Sequence, residues 1–256
     1  MTTTDRGRVR VLARDPSEDG PGAGRQLVLV HGSMDRATSF RRLMTRLLDW
    51  RCVTYDRRGY AGSSGLGPPN SFAEQVADLL DVLEGEPAVA FGHSYGGDVV
   101  LAAASQHPEL IPAAMVWEPP RPWLAWWPST TAGGGETDDL DPDDAAEWFM
   151  RRMVGDRIWE RLPESTRIQR RREGSTFRAE LECLRNEPPF EPSHVRIPVL
   201  VGRGGRSSPH HRRSARELAA SLPKGELCEI AEASHGAHLS HPGELADLIR
   251  RAGERA

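Results

Sequence analysis

The chain has 256 residues and a formal net charge of −4. Its length suits one large α/β domain or two small ones with a substantial buried core, and its mild acidity argues against a nucleic-acid-binding protein. No apolar run approaches the ~18 residues that a membrane helix needs, the N-terminus has no apolar signal core, and the three cysteines fit no disulfide or metal pattern. We therefore expect a cytoplasmic protein that contacts neither a membrane nor nucleic acid.

From residue 8 to residue 118 the sequence alternates between short apolar runs, which are typical of strands, and longer segments with helical apolar spacing. The first run alternates polar and apolar residues as an edge strand does, whereas later runs are continuously apolar, as in a parallel sheet covered on both faces. Ser71 followed by Glu74 predicts a capping box at the start of the second helix. The predicted strands cover residues 8–13, 26–30, 52–55, 87–91 and 113–117, and the predicted helices cover residues 38–49, 71–83 and 98–108.

Residues 119–192 interrupt this alternation, because they show helical spacing near 142–155 and 164–186 and no strand pattern. Several tryptophans lie in this segment, and we expect some to form its core and others to line an apolar pocket. The arginine-rich stretch 167–172 is interpreted as a solvated helix face. We predict a helical cap that lies over the sheet. The tryptophans are Trp123, Trp126, Trp127, Trp148 and Trp159.

The alternation returns after residue 193, with predicted strands at 197–202 and 227–230 and predicted helices at 210–221 and 242–251. The pattern predicts an α/β fold with a mostly parallel sheet of about seven to eight strands and helices on both faces. The predicted core comprises residues 1–118 and 193–256, and the cap, residues 119–192, is inserted after strand 6.

The sequence Gly92-His93-Ser94-Tyr95-Gly96 lies between a predicted buried strand and a predicted helix of small residues. A strand-to-helix reversal within so few residues forces the central serine into a strained backbone conformation, and glycines on both sides leave room for the neighbouring backbone. This context predicts that Ser94 presents an exposed hydroxyl at the N-terminus of a helix.

Four ordered motifs make the chain similar to the α/β-hydrolase superfamily over residues 25–118 and 195–251. They are His31-Gly32-Ser33, the stretch 56–63, the Ser94 turn, and Ser234-His235-Gly236. The resemblance implies a nucleophile at Ser94 and a general base at His235. It also implies an oxyanion hole formed by backbone N–H groups of Tyr95 and of Ser33 or Met34.

Other histidines compete for these roles. His238 and His241 are alternatives to His235 as the base. His31, Trp123 and Trp126 are candidate substrate-binding residues, although His31 and His93 could equally serve turn structure and packing. His210 and His211 are interpreted as exposed residues without a metal, since the sequence places no carboxylate or cysteine near them.

The orienting acid departs from the usual pattern of the superfamily, which places an aspartate just after the strand that here ends at Gly202. The stretch 203–209 contains no carboxylate. Glu118 ends the preceding strand at the same edge of the predicted sheet, so we assign it the role of orienting His235. Alternatively Glu118 caps the insertion or lines a pocket, and Ser94 and His235 work without an acid.

The sequence favours a serine hydrolase that cleaves an ester, thioester or lactone of a small apolar substrate. Carbon–carbon bond hydrolysis, cofactor-free peroxidase chemistry and non-enzymatic binding of a small molecule stay open as alternatives. No cofactor or metal is expected, because no glycine-rich dinucleotide motif follows a strand. Epoxide and haloalkane hydrolysis are excluded because they need a carboxylate at position 94. A homodimer stays open.

Overall fold

The computed structural model describes residues 2–6, 9–17, 19–20 and 22–256. Within these ranges, eight strands form one sheet in the order β1-β2-β4-β3-β5-β6-β7-β8. β1 and β2 pair in antiparallel fashion, as do β2 and β4, and the remaining pairs are parallel. The strands are β1 (Thr2–Arg6), β2 (Val9–Arg14), β3 (Gln26–Val30), β4 (Arg51–Tyr55), β5 (Val89–His93), β6 (Ala114–Trp117), β7 (Val199–Gly204) and β8 (Gly225–Ile230).

The predicted fold class, a mostly parallel sheet of seven to eight strands, is confirmed. The strand predicted at residues 8–13 corresponds to β2, although Arg8 lies outside the described residues. The prediction that it is an edge strand was wrong, because β2 lies between β1 and β4. β1 was not predicted, because the sequence Thr-Thr-Thr-Asp-Arg shows no alternation of apolar residues. It pairs with β2 in a register that runs from Thr2 opposite Ala13 to Arg6 opposite Val9.

Helices cover both faces of the sheet, as predicted. The described residues form α1 (Arg41–Met44), α2 (Phe72–Leu83), α3 (Tyr95–Gln106), α4 (Pro142–Val154), α5 (Asp156–Arg161), α6 (Glu164–Arg172), α7 (Gly174–Asn186), α8 (Pro209–Ser221), α9 (Ala237–Ser240) and α10 (Pro242–Gly253). None of these helices has the length and apolar character required to cross a bilayer.

β3 shows how the sheet separates two apolar cores. Val28 and Val30 point to the core that α2, α3 and α8 cover. Leu27 and Leu29 point to the opposite core, which α1 and α10 cover. Because successive side chains of a strand point to opposite faces, an apolar strand of this kind is stabilised only between two layers of helices.

Two local predictions were wrong. The helix predicted at residues 38–49 is a 3₁₀ turn at Ala37–Phe40 followed by the short α1, and further turns still bury Leu47 fully. The capping box at Ser71 does not form, because the Ser71 side chain makes no capping hydrogen bond. Glu74 instead accepts a hydrogen bond of 2.8 Å from the backbone N–H of Asn70.

The segment between β6 and β7 contains α4 to α7 and no strand among its residues. The helix predicted at 164–186 is divided into α6 and α7 at Glu173. Trp159 and Phe177 form an apolar cluster with Met34 and Tyr60, which follow β3 and β4. The insertion is therefore packed on the carboxyl edge of the sheet; its function as a lid stays a prediction.

The arginine-rich stretch is mostly a solvated face, because α6 buries none of its residues. Arg171 pairs with Asp144, and Arg167 pairs with Glu160 at 3.3 Å. Arg170 differs, since its Nη1 donates a hydrogen bond of 2.7 Å to the backbone carbonyl of Met34. One arginine of this stretch thus binds the loop after β3.

A buried carboxylate, Glu180 on α7, fixes the insertion to the sheet. Both Glu180 and its ion-pair partner Arg57 are fully buried. Oε2 of Glu180 accepts hydrogen bonds from Tyr60 Oη at 2.7 Å and from Ser33 Oγ at 2.6 Å. The burial of two opposite charges is tolerated only when each is paired and hydrogen-bonded, so α7 and the loops after β3 and β4 depend on one another.

We expect Glu180→Gln to reduce the free energy of unfolding by about 3–5 kcal/mol, because it leaves the guanidinium of Arg57 buried without a counter-charge. Urea unfolding followed by circular dichroism measures the change. Glu182→Gln, an exposed position on the same helix, is the matched control. An equal effect of the two substitutions would show that the pair does not hold the insertion in place.

Candidate active site

Ser94 lies in a strained turn between β5 and α3. Its φ of 52° and ψ of −128° belong to a region that side chains other than glycine rarely adopt. The glycines around it are required by close backbone contacts. A Cβ on Gly92 would lie 2.5 Å from the carbonyl oxygen of Gly96, and one on Gly96 would lie 2.2 Å from that of Val30. The α3 helix thus packs directly on β3 and holds the serine at the carboxyl edge.

His235 lies on the loop after β8, and its Nδ1 is 2.8 Å from Oε2 of Glu118. Because a carboxylate only accepts hydrogen bonds, we infer that Nδ1 carries the proton and that Nε2 has a free lone pair. The other oxygen of Glu118, Oε1, accepts a hydrogen bond of 2.7 Å from the backbone N–H of Gly204. Glu118 is fully buried and has a φ of 49°.

The end of β7 has no room for an acidic side chain near its last residue. A Cβ on Gly204 would lie 2.2 Å from the carbonyl oxygen of Ala233, and one on Gly205 would lie 2.3 Å from that of Ala231. The backbone N–H of Gly204 is used instead to hold the carboxylate that arrives from β6. The structure therefore brings Glu118 and His235 together, as the sequence predicted.

His93 connects the serine turn with the loop of His235. It precedes Ser94, and its Nε2 lies 2.9 Å from the carbonyl oxygen of His235, so this nitrogen is the donor. The side chain of Ser94 is partly exposed, and its hydroxyl makes no hydrogen bond to any described residue. No hydrogen bond joins Ser94 to His235 among the described residues, and such a bond stays a prediction for the complex with substrate.

The two alternative bases, His238 and His241, have other partners than Glu118. His238 is buried at 3% exposure, with Nε2 3.4 Å from Oδ2 of Asp35, and its ring packs 4.3 Å from that of His93. His241 precedes α10, and its Nδ1 lies 2.8 Å from Oγ of Ser240. Neither has a hydrogen bond or an ion pair with Glu118 in the described part of the chain, although His238 lies beside the serine turn through its contact with His93.

Of the predicted oxyanion residues, Tyr95 follows Ser94 directly, and Ser33 and Met34 follow Gly32, on which a Cβ would lie 3.0 Å from the Cβ of Ser94. Tyr95 begins α3, where the first N–H groups of a helix have no intrahelical acceptor. Met34 has a φ of 56° and is buried, and the backbone N–H of Ser33 has no acceptor among the described residues. The Ser33 side chain is held by Glu180, so the insertion constrains the loop that carries this N–H.

The substrate-binding role predicted for His31 conflicts with its surroundings. The ring is fully buried. Its Nδ1 donates to the carbonyl oxygen of Gly32 at 2.7 Å, and its Nε2 accepts from the backbone N–H of Arg57 at 2.9 Å. Burial, followed by the nearby charge of Arg57, lowers the pKa of His31 to about 3. His31 is therefore a neutral structural residue.

The tryptophans of the predicted pocket wall have different neighbours. Trp123 packs edge-on against Phe190. The guanidinium of Arg213 stacks over the ring of Trp126, 4.1 Å from its centre. Trp127 approaches the histidines, with 5.0 Å between its ring centre and that of His210. A cavity of about 550 Å³ lies between Gly59 and α6 and contains none of the predicted catalytic residues. The substrate pocket at Ser94 stays a prediction.

The prediction that His210 and His211 are exposed was wrong, because both are half-buried, and His211 lies at the site. Its ring stacks on His235 with 4.3 Å between centres and an interplanar angle of 20°. Burial, followed by the neighbouring His235, lowers its pKa well below the usual value. The signal was available, because His211 lies in the first turn of α8, directly after β7, and therefore at the same edge of the sheet as Glu118.

Two groups of described residues have the donor types and proximity to hold a metal ion: Asp35, His93 and His238, and Glu118, His211 and His235. In each group, one nitrogen or oxygen per residue lies within 4.8 Å of the others. The sequence analysis paired Glu118 with His235 and missed only His211, which lies 211 − 118 = 93 positions after Glu118 and comes close to it only through the fold.

The chain has relatives among known proteins. The alpha/beta hydrolase family model matches residues 27–248. The chain is 29% identical over 111 residues to a 2-(acetamidomethylene)succinate hydrolase of Mesorhizobium japonicum, a match that covers 42% of this chain and 38% of that protein. It is 30% identical over 102 residues to epoxide hydrolase 1 of Caenorhabditis elegans, with 38% of this chain and 25% of that protein covered. The chain thus matches less than half the length of these relatives.

The fold is also similar to that of solved structures. The enol-lactonase of Burkholderia xenovorans superimposes with a TM-score of 0.71 at 19% identity, over 96% of this chain and 97% of that one. At this identity the likeness shows the fold alone.

We expect Gly96→Ala to lower the free energy of unfolding by about 1–3 kcal/mol, because its methyl group collides with backbone that cannot move aside. Gly97→Ala is the matched control, since its nearest neighbour is the side-chain Cβ of Pro119 at 3.1 Å. Thermal and urea unfolding measure both. Equal tolerance at the two positions would contradict the close packing of α3 on β3.

Proposed function

Because the chain belongs to the alpha/beta hydrolase family, we propose that it is a serine hydrolase that cleaves an ester, thioester or lactone of a small, mainly apolar molecule in the cytoplasm. The observation that carries the proposal is the hydrogen bond between His235 Nδ1 and the buried carboxylate of Glu118, next to the strained turn of Ser94. An imidazole fixed in this tautomer directs a basic nitrogen away from the carboxylate.

In the proposed reaction, the Ser94 hydroxyl attacks the carbonyl carbon of the substrate while Nε2 of His235 takes its proton. The carboxylate of Glu118 stabilises the imidazolium that results and keeps the ring oriented. The proton then passes to the leaving group as the carbon–oxygen or carbon–sulfur bond breaks. A water molecule, activated by the same nitrogen, releases the acyl group and restores the serine.

The negative charge that develops on the carbonyl oxygen would be met by the backbone N–H of Tyr95 and by that of Ser33 or Met34. One such donor is typically worth about 10²–10³ in rate. The free N–H of Ser33 and the N-terminal position of Tyr95 on α3 support this assignment.

The relatives support hydrolysis but do not select the substrate. The names enol-lactonase and 2-(acetamidomethylene)succinate hydrolase describe those two proteins and not this chain. We take from them only that this fold can act on a carbonyl substrate. Epoxide hydrolysis is not carried over from the Caenorhabditis elegans relative, because that reaction needs a carboxylate where this chain has Ser94.

A fluorophosphonate probe tests the nucleophile. We expect the native protein to be labelled and Ser94→Ala to lose the label completely, because only an activated serine attacks the probe. Ser129→Ala, at an exposed serine of the insertion, should label as the native protein does. Absence of labelling in the native protein would favour a binding protein over an enzyme.

We expect Glu118→Gln to lower kcat by about 10²–10⁴ on any ester that the native protein cleaves, because an amide at this place favours the wrong tautomer of His235. The exposed Glu229 on β8 provides the control substitution, Glu229→Gln. Steady-state kinetics with a nitrophenyl ester measure both. A decrease of less than about threefold would assign the orienting role to another residue.

A further inference from the structure

We propose that Glu118, His211 and His235 form a binding site for a divalent transition metal ion, best suited to zinc, and that its occupation inhibits the enzyme. The binding site is independent of the proposed function, whereas the inhibition rests on His235 being the catalytic base. The three residues come from β6, α8 and the loop after β8, so only the folded chain assembles them.

The geometry places three donor atoms around one point. One nitrogen or oxygen of each residue lies within 4.8 Å of those of the other two, and Nδ1 of His235 is already 2.8 Å from Oε2 of Glu118. A tetrahedral zinc ion with bonds of about 2.1 Å needs donors about 3.4 Å apart. The rings of His211 and His235 are stacked, with 4.3 Å between their centres and an interplanar angle of 20°, so both would have to turn toward a common point to bind the same ion.

The donor set has the right chemistry. Two imidazole nitrogens and one carboxylate oxygen, with a fourth position for water, are the ligands of many zinc sites. His211 is placed to act as a ligand, because its ring lies 4.3 Å from that of His235 and one of its nitrogens is close to the donor atoms of the other two residues. A magnesium ion prefers oxygen ligands and is not expected to bind.

His211 also has an unsatisfied polar atom at this place. Its Nδ1 is buried and has no hydrogen-bond partner in the part of the chain that the structure describes, a condition that normally calls for an explanation such as a bound ion. Oε1 of Glu118 is held by the N–H of Gly204, a contact of the kind that orients a metal ligand. The His235 side chain is 15% exposed, which gives an ion a way in.

The second group, Asp35, His93 and His238, is a weaker candidate. Oδ2 of Asp35 already contacts His238 and accepts a hydrogen bond from Ser39 at 2.9 Å. Both histidines are almost fully buried, at 6% and 3% exposure. An ion would have to displace existing contacts and pass behind the loop of His235, so this group serves as the alternative location in the test.

A metal ion bound at this site would prevent His235 from acting as the base. An ion bound to Nδ1 of His235 takes the place of the proton shared with Glu118. The neutral ring then carries its single proton on Nε2, which can no longer accept the proton of Ser94. If the ion binds Nε2 instead, the same lone pair is consumed directly. In the first case the ring proton moves from Nδ1 to Nε2; in the second case it stays on Nδ1, and no N–H bond changes.

Calorimetric titration of the Ser94→Ala protein with zinc chloride tests binding without requiring activity. We expect one ion per chain, no binding of magnesium, and an affinity at least about tenfold lower when His211→Phe is added, because phenylalanine keeps a flat ring and removes both nitrogens. His210→Phe, the neighbouring histidine outside the group, is the matched control and should bind zinc as before. His211→Gln replaces His211→Phe if melting curves show that the latter does not fold.

The activity arm uses the chain with Ser94 intact and a nitrophenyl ester. We expect zinc to inhibit and a chelator to restore the rate, and we expect zinc to leave unchanged whatever basal rate His211→Phe retains. Absence of zinc binding to Ser94→Ala overturns the proposal, as does unchanged zinc affinity in His211→Phe, which would move the ion to the other group. Zinc binding that depends on His211 in a protein without esterase activity would keep the site and reject the proposed function.

Discussion

The carboxylate of Glu118 is the contact on which the rest of the site depends. It is withdrawn completely from water, which is costly unless both oxygens are satisfied. One oxygen binds the N–H of Gly204 at the end of β7, and the other binds His235 after β8. Three elements of the carboxyl edge therefore meet at one charged group, and charge-assisted hydrogen bonds of this kind are the strong ones.

A second buried carboxylate, Glu180, holds the insertion against the sheet. Through Arg57, Tyr60 and Ser33 it connects α7 with the loops that follow β3 and β4. Because Ser33 also carries a predicted oxyanion N–H, the insertion and the catalytic edge are not independent parts. Motion of the insertion, if it accompanies substrate entry, must spare α7 or break a fully buried ion pair.

The sequence predicted what periodicity and short motifs encode: the parallel sheet, its order of elements, the Ser94 turn and the approach of Glu118 to His235. It could not predict contacts between residues that are distant in the chain. Arg57 and Glu180 are separated by 123 positions, and no local pattern shows that they pair. His211 was misjudged for a similar reason, since its local sequence is polar and its stacking partner His235 lies on another loop. The capping box predicted at Ser71 does not form, and the Glu74 side chain instead binds the backbone N–H of Asn70 and the guanidinium of Arg58.

The position of the proton on the His235 ring tests the proposed catalytic arrangement most directly. Nitrogen-15 NMR of histidine-labelled protein at neutral pH measures it, and His235→Gln assigns the signals. If His235 is the base, the ring holds its proton on Nδ1, shared with Glu118, and Nε2 is unprotonated. A ring that carries its proton on Nε2 could not accept one from Ser94, and this result would contradict the proposed catalytic arrangement.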